Sequence, residues 1–215
     1  TVSDISDQQL QAARSNLGVA TSRDNLTACA KADVIVIAVK PQVIAEVMPP
    51  LRAIVAQRKS LVISIVAGTP LSRFAEWLGP DAAVVRCMPN TPALVELGAT
   101  GMFANDKVSD AQREQAKQIL SAVGLALWLD NEDQIDAITA LSGSGPAYFF
   151  LVMEAMIAAG TALGLSEAVA RQMTLQTALG AAHMAITSDL GPAELRRRVT
   201  SPGGTTERAL EIFEQ

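Results

Sequence analysis

The stretch of the sequence best suited to chemistry on a small anion is residues 200–206, Thr-Ser-Pro-Gly-Gly-Thr-Thr. Gly203 and Gly204 allow the backbone to turn sharply and allow a ligand to approach it closely. The residues that follow Thr206 have the pattern of a helix start, whose free N–H groups favour a carboxylate or a phosphate. The same pattern is typical of a plain helix cap after a tight turn, and Glu207, an acid in the first turn, favours that alternative.

Four blocks of sequence, in one order along nearly the whole chain, carry a resemblance to a known family. They are Ala-Val-Lys-Pro at 38–41, Arg-Cys-Met-Pro-Asn-Thr-Pro at 86–92, Leu-Ser-Gly-Ser-Gly-Pro-Ala-Tyr at 141–148 and Val-Thr-Ser-Pro-Gly-Gly-Thr-Thr at 199–206. With these blocks the sequence resembles the pyrroline-5-carboxylate reductases. Each block alone would be weak evidence, whereas the four together make a specific match.

The resemblance implies a substrate site formed by residues of the second half of the chain. Thr206 is expected to be the catalytic residue, since its hydroxyl would reach the ring nitrogen of an imine substrate. The backbone N–H groups around Gly204 and Thr205 would bind the substrate carboxylate, with the Ser201 hydroxyl nearby. Asp133 corresponds to a substrate contact at which other members of the family have Glu. Without the resemblance, Asp133 has the sequence context of a solvated helix cap.

The resemblance also implies a binding site for NADPH or NADH in the first half of the chain. Asn25 corresponds to a contact near the adenosine ribose, where an amide avoids the repulsion that an acid would exert on a 2′-phosphate. Taken alone, Asn25 is typical of a helix cap, and Lys40 is either a solvated residue at a strand end or a cation beside a phosphate. Ile65 stands where some members have Cys, which indicates contact through the backbone. The expected cofactor-binding residues are Asn25, Ala38, Val39, Lys40, Pro41, Ile65, Val66 and Ala67.

Alternating strands and helices must position these residues. Residues 33–39, 61–66 and 83–88 are apolar runs typical of strands that are buried on both faces of a parallel sheet. Helical patterns lie between them, one of which is interrupted by Pro49 and Pro50. This alternation predicts a doubly wound α/β sheet, which binds ligands at the carboxyl ends of its strands.

Beyond Asp130 every segment has a helical pattern, which a break at residues 142–145 interrupts. We therefore expect a dinucleotide-binding domain over residues 1–129 and a helical substrate-binding and dimerisation domain over residues 130–215. The Gly-x-Gly-x-x-Gly loop that grips a pyrophosphate does not occur in the sequence. The resemblance implies that the first βα unit and the last helices of the family lie outside this sequence. The expected fold class is thus a Rossmann-like doubly wound α/β domain, without its first βα unit, followed by a C-terminally incomplete all-helical domain.

The two longest helical patterns predict self-association. Residues 147–163 are apolar almost all round, and residues 166–187 are rich in alanine and glycine. A helical domain of this size cannot hide so much apolar surface within one subunit. We expect a homodimer through the helical domain, and the resemblance implies that dimers can stack into a higher ring.

Composition restricts the other classes of partner. The chain has 215 residues, 49% of them hydrophobic, and a net charge of −5, with no basic stripe that would favour nucleic acid. Its two cysteines and one histidine have no metal-ligand spacing, so no metal is expected. We see no signal peptide and no apolar run that approaches the ~18 residues of a membrane span. A cytoplasmic protein is expected, although the chain does not begin with Met, which leaves a processed or truncated start open.

The sequence thus predicts NAD(P)H-dependent reduction of 1-pyrroline-5-carboxylate to L-proline, the last step of proline biosynthesis. One alternative is another two-domain imine or β-hydroxyacid reductase. The hydroxyacid enzymes usually carry a catalytic lysine on the first long interdomain helix, and the lack of any lysine beyond Lys117 counts against them. A second alternative is a truncated, non-catalytic oligomerisation scaffold.

Overall fold

The computed structural model of the chain describes residues 1–214, and Gln215, the last residue of the expected helical domain, lies outside the described residues. The chain folds into two compact units that divide after Pro146. The first unit is built on a five-stranded sheet, and the second consists of helices.

The elements of the first unit alternate between strands and helices as far as β5. The strands are β1 (Val2–Ser3), β2 (Thr21–Ser22), β3 (Val34–Ile37), β4 (Leu61–Ser64), β5 (Val84–Met88), β6 (Gly98–Ala104) and β7 (Gly124–Trp128). The helices are α1 (Asp7–Leu17), α2 (Asn25–Cys29), α3 (Ile44–Arg58), α4 (Leu71–Leu78), α5 (Asp110–Ser121) and α6 (Gln134–Ile138). A 3-10 helix (Thr91–Val95) and a π-helix (Thr139–Gly143) complete the unit.

The main sheet has the strand order β3-β4-β5-β6-β7, and β1 and β2 form a separate parallel pair. Strands β3, β4 and β5 are parallel, with Val36 opposite Ile63 and Ile63 opposite Val85. Strand β6 runs antiparallel to β5, and β7 runs parallel to β6. The three predicted parallel strands are therefore confirmed, and the chain reverses direction in the sheet only after β5.

Helices cover both faces of the sheet, as the doubly wound prediction requires. All four residues of β4 are buried, because alternate side chains enter different cores. One core joins the sheet to α3 and α4, and the other joins it to α5. The first contains Ile35, Met48, Val62, Phe74 and Val84, and the second contains Ile63, Val85, Met102, Ala116 and Leu120.

Two expected interruptions of helices differ in the structure. Helix α3 continues through Pro49 and Pro50. These prolines lie in its second turn, so the helix lacks the two hydrogen bonds that N–H groups at these positions would donate to the Ala45 and Glu46 carbonyls. The expected break at residues 142–145 is shorter than predicted, because residues Thr139–Gly143 form the π-helix and α7 begins at Gly145.

Helix α6 and the π-helix pack on the sheet of the first unit, mainly against β5 and β6. Both segments lie within the residues that the sequence analysis placed in the helical domain. The functional boundary between residues 129 and 130 stays a prediction.

The second unit contains all but the first two residues of the long helix α7 (Gly145–Ala162), together with α8 (Glu167–Thr187), α9 (Pro192–Arg198) and α10 (Thr205–Phe213). Helices α7 and α8 approach closely where Gly160 meets Ala170, since a Cβ built on Gly160 would lie 3.2 Å from the Ala170 Cβ. Many large apolar side chains of this unit are exposed, among them Phe149, Phe150, Leu151, Met173, Leu179 and Ile186.

The helical stretch Gln134–Ala162 is long and apolar enough to cross a membrane by length and composition, and 6% of its most apolar window is buried. The expectation that no stretch approaches this criterion is therefore wrong, because α7 alone has 18 residues and Glu154 is its single charged side chain. One such helix is weak evidence for a membrane span, because an apolar helix of a soluble protein meets the same criterion.

Gly124, at the start of β7, is the most restricted glycine of the sheet. Its φ is +139°, and a Cβ built on it would lie 2.1 Å from the Gly98 carbonyl oxygen. We predict that Gly124→Ala lowers the free energy of unfolding by roughly 3 kcal/mol or more, because the clash adds to backbone strain. Gly191→Ala is the control, since Gly191 has an ordinary φ of −68° and open space around it. Equal denaturant midpoints for the two variants would contradict this prediction.

Candidate functional site

The loops at the carboxyl ends of β3 and β4 carry most of the expected cofactor residues. Ala38, Lys40 and Pro41 are exposed and Val39 is half-buried. The Lys40 side chain has no hydrogen bond or ion pair within residues 1–214, so its ammonium group is free to meet an anion. The structure therefore leaves this loop accessible to a ligand.

The loop of residues 65–70, which follows β4, is held by its own backbone. The N–H of Ile65 donates to the Ile37 carbonyl at 3.1 Å, which ties this loop to the end of β3. The Val66 side chain is buried in the core beneath α3 and α4, whereas Ala67 is exposed. The Val66 N–H donates to the Ser64 hydroxyl at 3.3 Å and the whole residue is 3% exposed, so its contact with a ligand stays a prediction. Gly68 follows with a φ of +71°.

A cleft of about 360 Å³ lies beside these two loops. Its lining includes Pro41 from the first loop and residues of α3 and α4. Arg73 supplies a cation and Trp77 an aromatic surface. The other lining residues are Ile44, Ala45, Gly68, Thr69 and Pro70.

Asn25 does not cap helix α2. Asp24 is the N-cap, and its carboxylate accepts hydrogen bonds from the N–H groups of Leu26 and Thr27, each at 3.1 Å. The hydrogen bond from the Thr27 hydroxyl, together with these N–H groups, lowers the pKa of Asp24. The Asn25 Oδ1 instead accepts a hydrogen bond from the Ser3 hydroxyl at 2.8 Å, which joins α2 to β1. The interpretation of Asn25 as a helix cap is therefore wrong.

The acidic segment before α6 contains a residue that the sequence analysis missed. The Glu132 Oε1 accepts hydrogen bonds from the Leu71 N–H and from Arg86 Nη1, both at 2.8 Å. Asp133, the expected substrate contact, is exposed, and its carboxylate has no partner in the part of the chain that the structure describes. A buried arginine in a strand, which needs a counter-charge, was the signal that could have revealed Glu132.

Asn90, also missed, joins two of the four sequence blocks. Its Oδ1 accepts a hydrogen bond from the Ala99 N–H at 2.8 Å, and its Nδ2 donates to the Ser142 carbonyl at 3.0 Å. Gly143 packs closely on Met88, since a Cβ built on this glycine would lie 2.7 Å from the Met88 Cε. The end of β5 is thereby fixed to the π-helix. The polar Asn90 after an apolar strand was the available signal.

Within residues 1–214, the turn of residues 200–206 leaves two backbone N–H groups free at the start of α10. Gly203 has a φ of +72°, and the N–H of Gly204 donates to the Ser201 carbonyl at 3.0 Å. Gly204 is the N-cap of α10. The N–H groups of Thr205 and Thr206 have no hydrogen-bond acceptor among the described residues.

Neither threonine hydroxyl caps helix α10, which has no side-chain cap. The hydroxyls of Thr205 and Thr206 form no hydrogen bond within the described chain, and Thr206 is half-buried. The Glu207 Oε2 accepts a hydrogen bond from the Gly203 N–H at 2.7 Å. The expected helix-cap role of the turn thus falls on Gly204 and Glu207, which leaves both hydroxyls available.

The three arginines that precede the turn are paired with two carboxylates. Arg197 and Arg198 both bind Glu194, and these hydrogen bonds, that of Arg197 first, lower the pKa of Glu194. Arg196 pairs with Glu214 at 3.2 Å. These exposed pairs are typical of a solvated helix face.

The remaining candidates for chemistry are the two thiols and possible metal ligands. Burial raises the pKa of the Cys87 thiol to about 12, and burial followed by the charge of Asp24 raises the pKa of Cys29. Within residues 1–214 the structure shows no group of three or more His, Cys, Asp or Glu side chains that could hold a metal ion.

Family models match both parts of the chain. Residues 132–215 match the model described as pyrroline-5-carboxylate reductase dimerisation. Residues 1–68 match the model described as NADP oxidoreductase, coenzyme F420-dependent.

Similar proteins of known name agree with these matches. A pyrroline-5-carboxylate reductase of Pseudomonas aeruginosa is 60% identical over 190 residues, which are 88% of this chain and 69% of that protein. The solved pyrroline-5-carboxylate reductase of Coxiella burnetii superimposes with a TM-score of 0.93 at 46% identity, covering 99% of this chain and 79% of that one. A pyrroline carboxylate reductase of Plasmodium falciparum, solved with NADP bound, gives a TM-score of 0.84 at 32% identity, covering 91% and 74%.

These similarities confirm the expected fold class, a Rossmann-like α/β domain and a helical dimerisation domain. The individual site residues stay predictions at this point, and the structure adds where each one lies. The chain belongs to the pyrroline-5-carboxylate reductase family.

Proposed function

We propose that this chain reduces 1-pyrroline-5-carboxylate to L-proline, the last step of proline biosynthesis, with NADPH or NADH as reductant. The observation that carries the proposal is the turn of residues 200–206, with its free N–H groups and hydroxyls, in a chain that is 60% identical to a pyrroline-5-carboxylate reductase. The substrate needs a site for one carboxylate and a hydrogen-bond partner for one ring nitrogen. The turn offers both.

The experiment that tests this proposal follows NADPH consumption by the purified chain with 1-pyrroline-5-carboxylate, together with identification of the product. L-proline as the product supports the proposal. Oxidation of NADPH only with other imines or with β-hydroxyacid precursors would favour a related reductase. If a calorimetric titration detected no nucleotide binding, the non-catalytic oligomerisation scaffold would be the remaining alternative.

The loops after β3 and β4 fit a nicotinamide nucleotide. Ala38, Lys40, Pro41 and Ala67 are exposed, Lys40 carries an unpaired charge, and Gly68 has a positive φ in the second loop. NADPH or NADH, when bound, supplies a hydride to the imine carbon. The residues proposed to hold it are Asn25, Ala38, Val39, Lys40, Pro41, Ile65, Val66 and Ala67.

Each part of this set has a different role. Asn25 would lie beside the adenosine ribose, with its Oδ1 oriented by Ser3. Lys40 would attract the negative charge of the phosphates. Val66 would act through its backbone, because its side chain belongs to the core. We assign the dinucleotide site to a domain of residues 1–129.

Substrate binding is assigned to the helical domain, residues 130–215. The N–H groups around Gly204 and Thr205 would bind the substrate carboxylate at the positive end of α10, and the Ser201 hydroxyl would add a further donor. The Thr206 hydroxyl would hydrogen-bond the ring nitrogen, which gains a proton as the imine is reduced. Asp133, which is exposed and unpaired within the described residues, is assigned a substrate contact.

The exposed apolar helices α7 and α8 support a homodimer through the helical domain, and stacked dimers would form a higher ring. A dimer would cover side chains such as Phe149 and Phe150, which are 69% and 59% exposed in the isolated chain. We assign the enzyme to the cytoplasm, with no membrane and no nucleic acid as a partner.

The catalytic role of Thr206 predicts a specific kinetic defect. Thr206→Val keeps the branched shape but removes the hydrogen bond to the nitrogen, whose charge changes in the transition state. We expect kcat to fall roughly 10- to 1000-fold, with a smaller rise in KM. Thr205→Val is the matched control and should be much milder, since Thr205 is assigned a backbone role. Full activity with reduced stability in both variants would show that the turn has only a structural role.

The proposed position of Asn25 predicts a change in cofactor preference. Asn25→Asp keeps an acceptor for Ser3 but places a carboxylate near a 2′-phosphate, so NADPH should lose about 1–3 kcal/mol more binding free energy than NADH. Ser3→Ala removes the same hydrogen bond without adding charge and should affect both nucleotides equally. The dissociation constants of NADPH and NADH measure the difference. An equal loss for both nucleotides in Asn25→Asp would place Asn25 away from the phosphate.

The proposed interface predicts an obligate dimer. Sedimentation at micromolar concentration should show no monomer of the native chain, because the apolar surface of α7 and α8 needs a cover. Phe150→Glu should shift the population toward monomer. Ile5→Glu, at an 87% exposed apolar position of the first unit, is the control and should leave the dimer intact. A monomeric native chain would rule out the interface.

A further inference from the structure

Glu132 lies where three elements of the first unit meet. One oxygen, Oε1, accepts hydrogen bonds from the Leu71 N–H at the start of α4 and from Arg86 Nη1 on β5. Arg86 is 7% exposed, and its Nη2 lies 3.5 Å from the Asp136 carboxylate. One carboxylate oxygen therefore connects β5, α4 and the segment that leads into α6.

Helix α4 depends on this carboxylate for its first hydrogen bond. Its N-cap is Pro70, which provides no side-chain cap. The acceptor for the Leu71 N–H comes instead from Glu132, 61 residues further along the chain. A negative charge at this position also suits the positive end of the helix.

Arg86 in turn holds Glu132. An arginine buried in a strand requires a charged partner, since its charge cannot be solvated by water. The shared geometry restricts the Glu132 side chain to one position. Without Arg86, this carboxylate would be free to turn toward solvent and to release the Leu71 N–H.

The segments joined in this way carry proposed ligand contacts. The loop of residues 65–70 ends at Leu71, and its other end is tied to β3 by the hydrogen bond of Ile65. Asp133, a proposed substrate contact, follows Glu132 directly in sequence. The same side chain therefore sets the position of the cofactor loop and that of Asp133.

We infer that Arg86 and Glu132 are positioning residues, which fix the loop of residues 65–70 in the conformation that binds the nicotinamide nucleotide. The inference rests on the proposed function, since it takes this loop to be part of the cofactor site. Both residues act through the Leu71 N–H, and neither contacts the nucleotide or the reacting atoms.

The experiment is a calorimetric titration of the full chain with NADP⁺ in the absence of substrate. Glu132→Leu and Arg86→Met should each weaken NADP⁺ binding roughly 10-fold or more, because the loop is no longer held in place. The double variant should lose little beyond either single variant, since the two residues act as a unit. Glu132→Gln keeps an oxygen acceptor for Leu71 and leaves Asp136 as the charged partner of Arg86, so it should bind within about 3-fold of the native chain.

Arg58→Met is the control, because it breaks an ion pair of similar length between the end of α3 and the residue before β3. Arg58 binds Asp33 at 2.7 Å, beside the start of β3 rather than its end. This variant should bind NADP⁺ as the native chain does. Unfolding curves of all variants separate a loss of folding from a loss of affinity.

A second conservative variant keeps the test decisive if Arg86→Met or Glu132→Leu does not fold. Arg86→Lys keeps the charge but loses the planar fork that reaches both Glu132 and Asp136, so it should still weaken NADP⁺ binding. Native affinity in Arg86→Lys, or native affinity with reduced stability in the other variants, would overturn the inference.

Failure of the proposed function gives a different result. If the native chain binds NADP⁺ but does not reduce 1-pyrroline-5-carboxylate, the proposed substrate is wrong. A loss of NADP⁺ affinity in the variants would still support the positioning role. If the native chain makes proline while all variants keep native affinity, only the positioning role is contradicted. If the native chain binds no nucleotide, both the proposed function and the positioning role are contradicted.

Discussion

Burial of β4 on both faces is the constraint on which the rest of the first unit depends. Its four residues lie between β3 and β5, and its side chains enter both cores. Parallel strands cannot be joined by tight turns, so each must be followed by a helix that returns along a face of the sheet. The loops after β3, β4 and β5 consequently all lie at the carboxyl ends of these strands. The strand pattern, rather than any single residue, therefore brings these loops together.

Hydrogen bonds from polar side chains then fix the conformation of the loops that the sheet brings to one end. Asn90 satisfies the N–H of Ala99 and the carbonyl of Ser142, and Glu132 satisfies Leu71 and Arg86. These side chains connect segments that are far apart in sequence and give the loops a defined conformation. In the second unit, the turn before α10 is held by contacts between residues that are close in sequence. The turn before α10 is closed by Ser201 and Glu207, whose partners lie within four residues.

Local patterns in the sequence predicted the elements, and the long-range contacts could not be predicted in the same way. The parallel strands β3, β4 and β5 follow from apolar runs that only a doubly covered sheet can bury. The antiparallel direction of β6, by contrast, depends on how residues 89–97 turn, which no short pattern specifies. The position of Thr206 after two glycines was predictable because helix starts have local signals. The resemblance indicated Asp133 as a substrate contact, whereas nothing local indicated Glu132, because only the folded chain reveals which acid faces Arg86.

The hydrogen bond between Leu71 and Glu132 also sets the order in which the chain can mature. It spans 61 residues, so the start of α4 cannot acquire its native acceptor until the ribosome has added the segment after β7. Contacts of such large separation form late, since the entropy of closing the intervening loop opposes them. A nascent chain that ends before this point can build the parallel strands but holds the loop after β4 open at one end. The start of α4 therefore acquires its native acceptor only after all five strands of the main sheet have been synthesised.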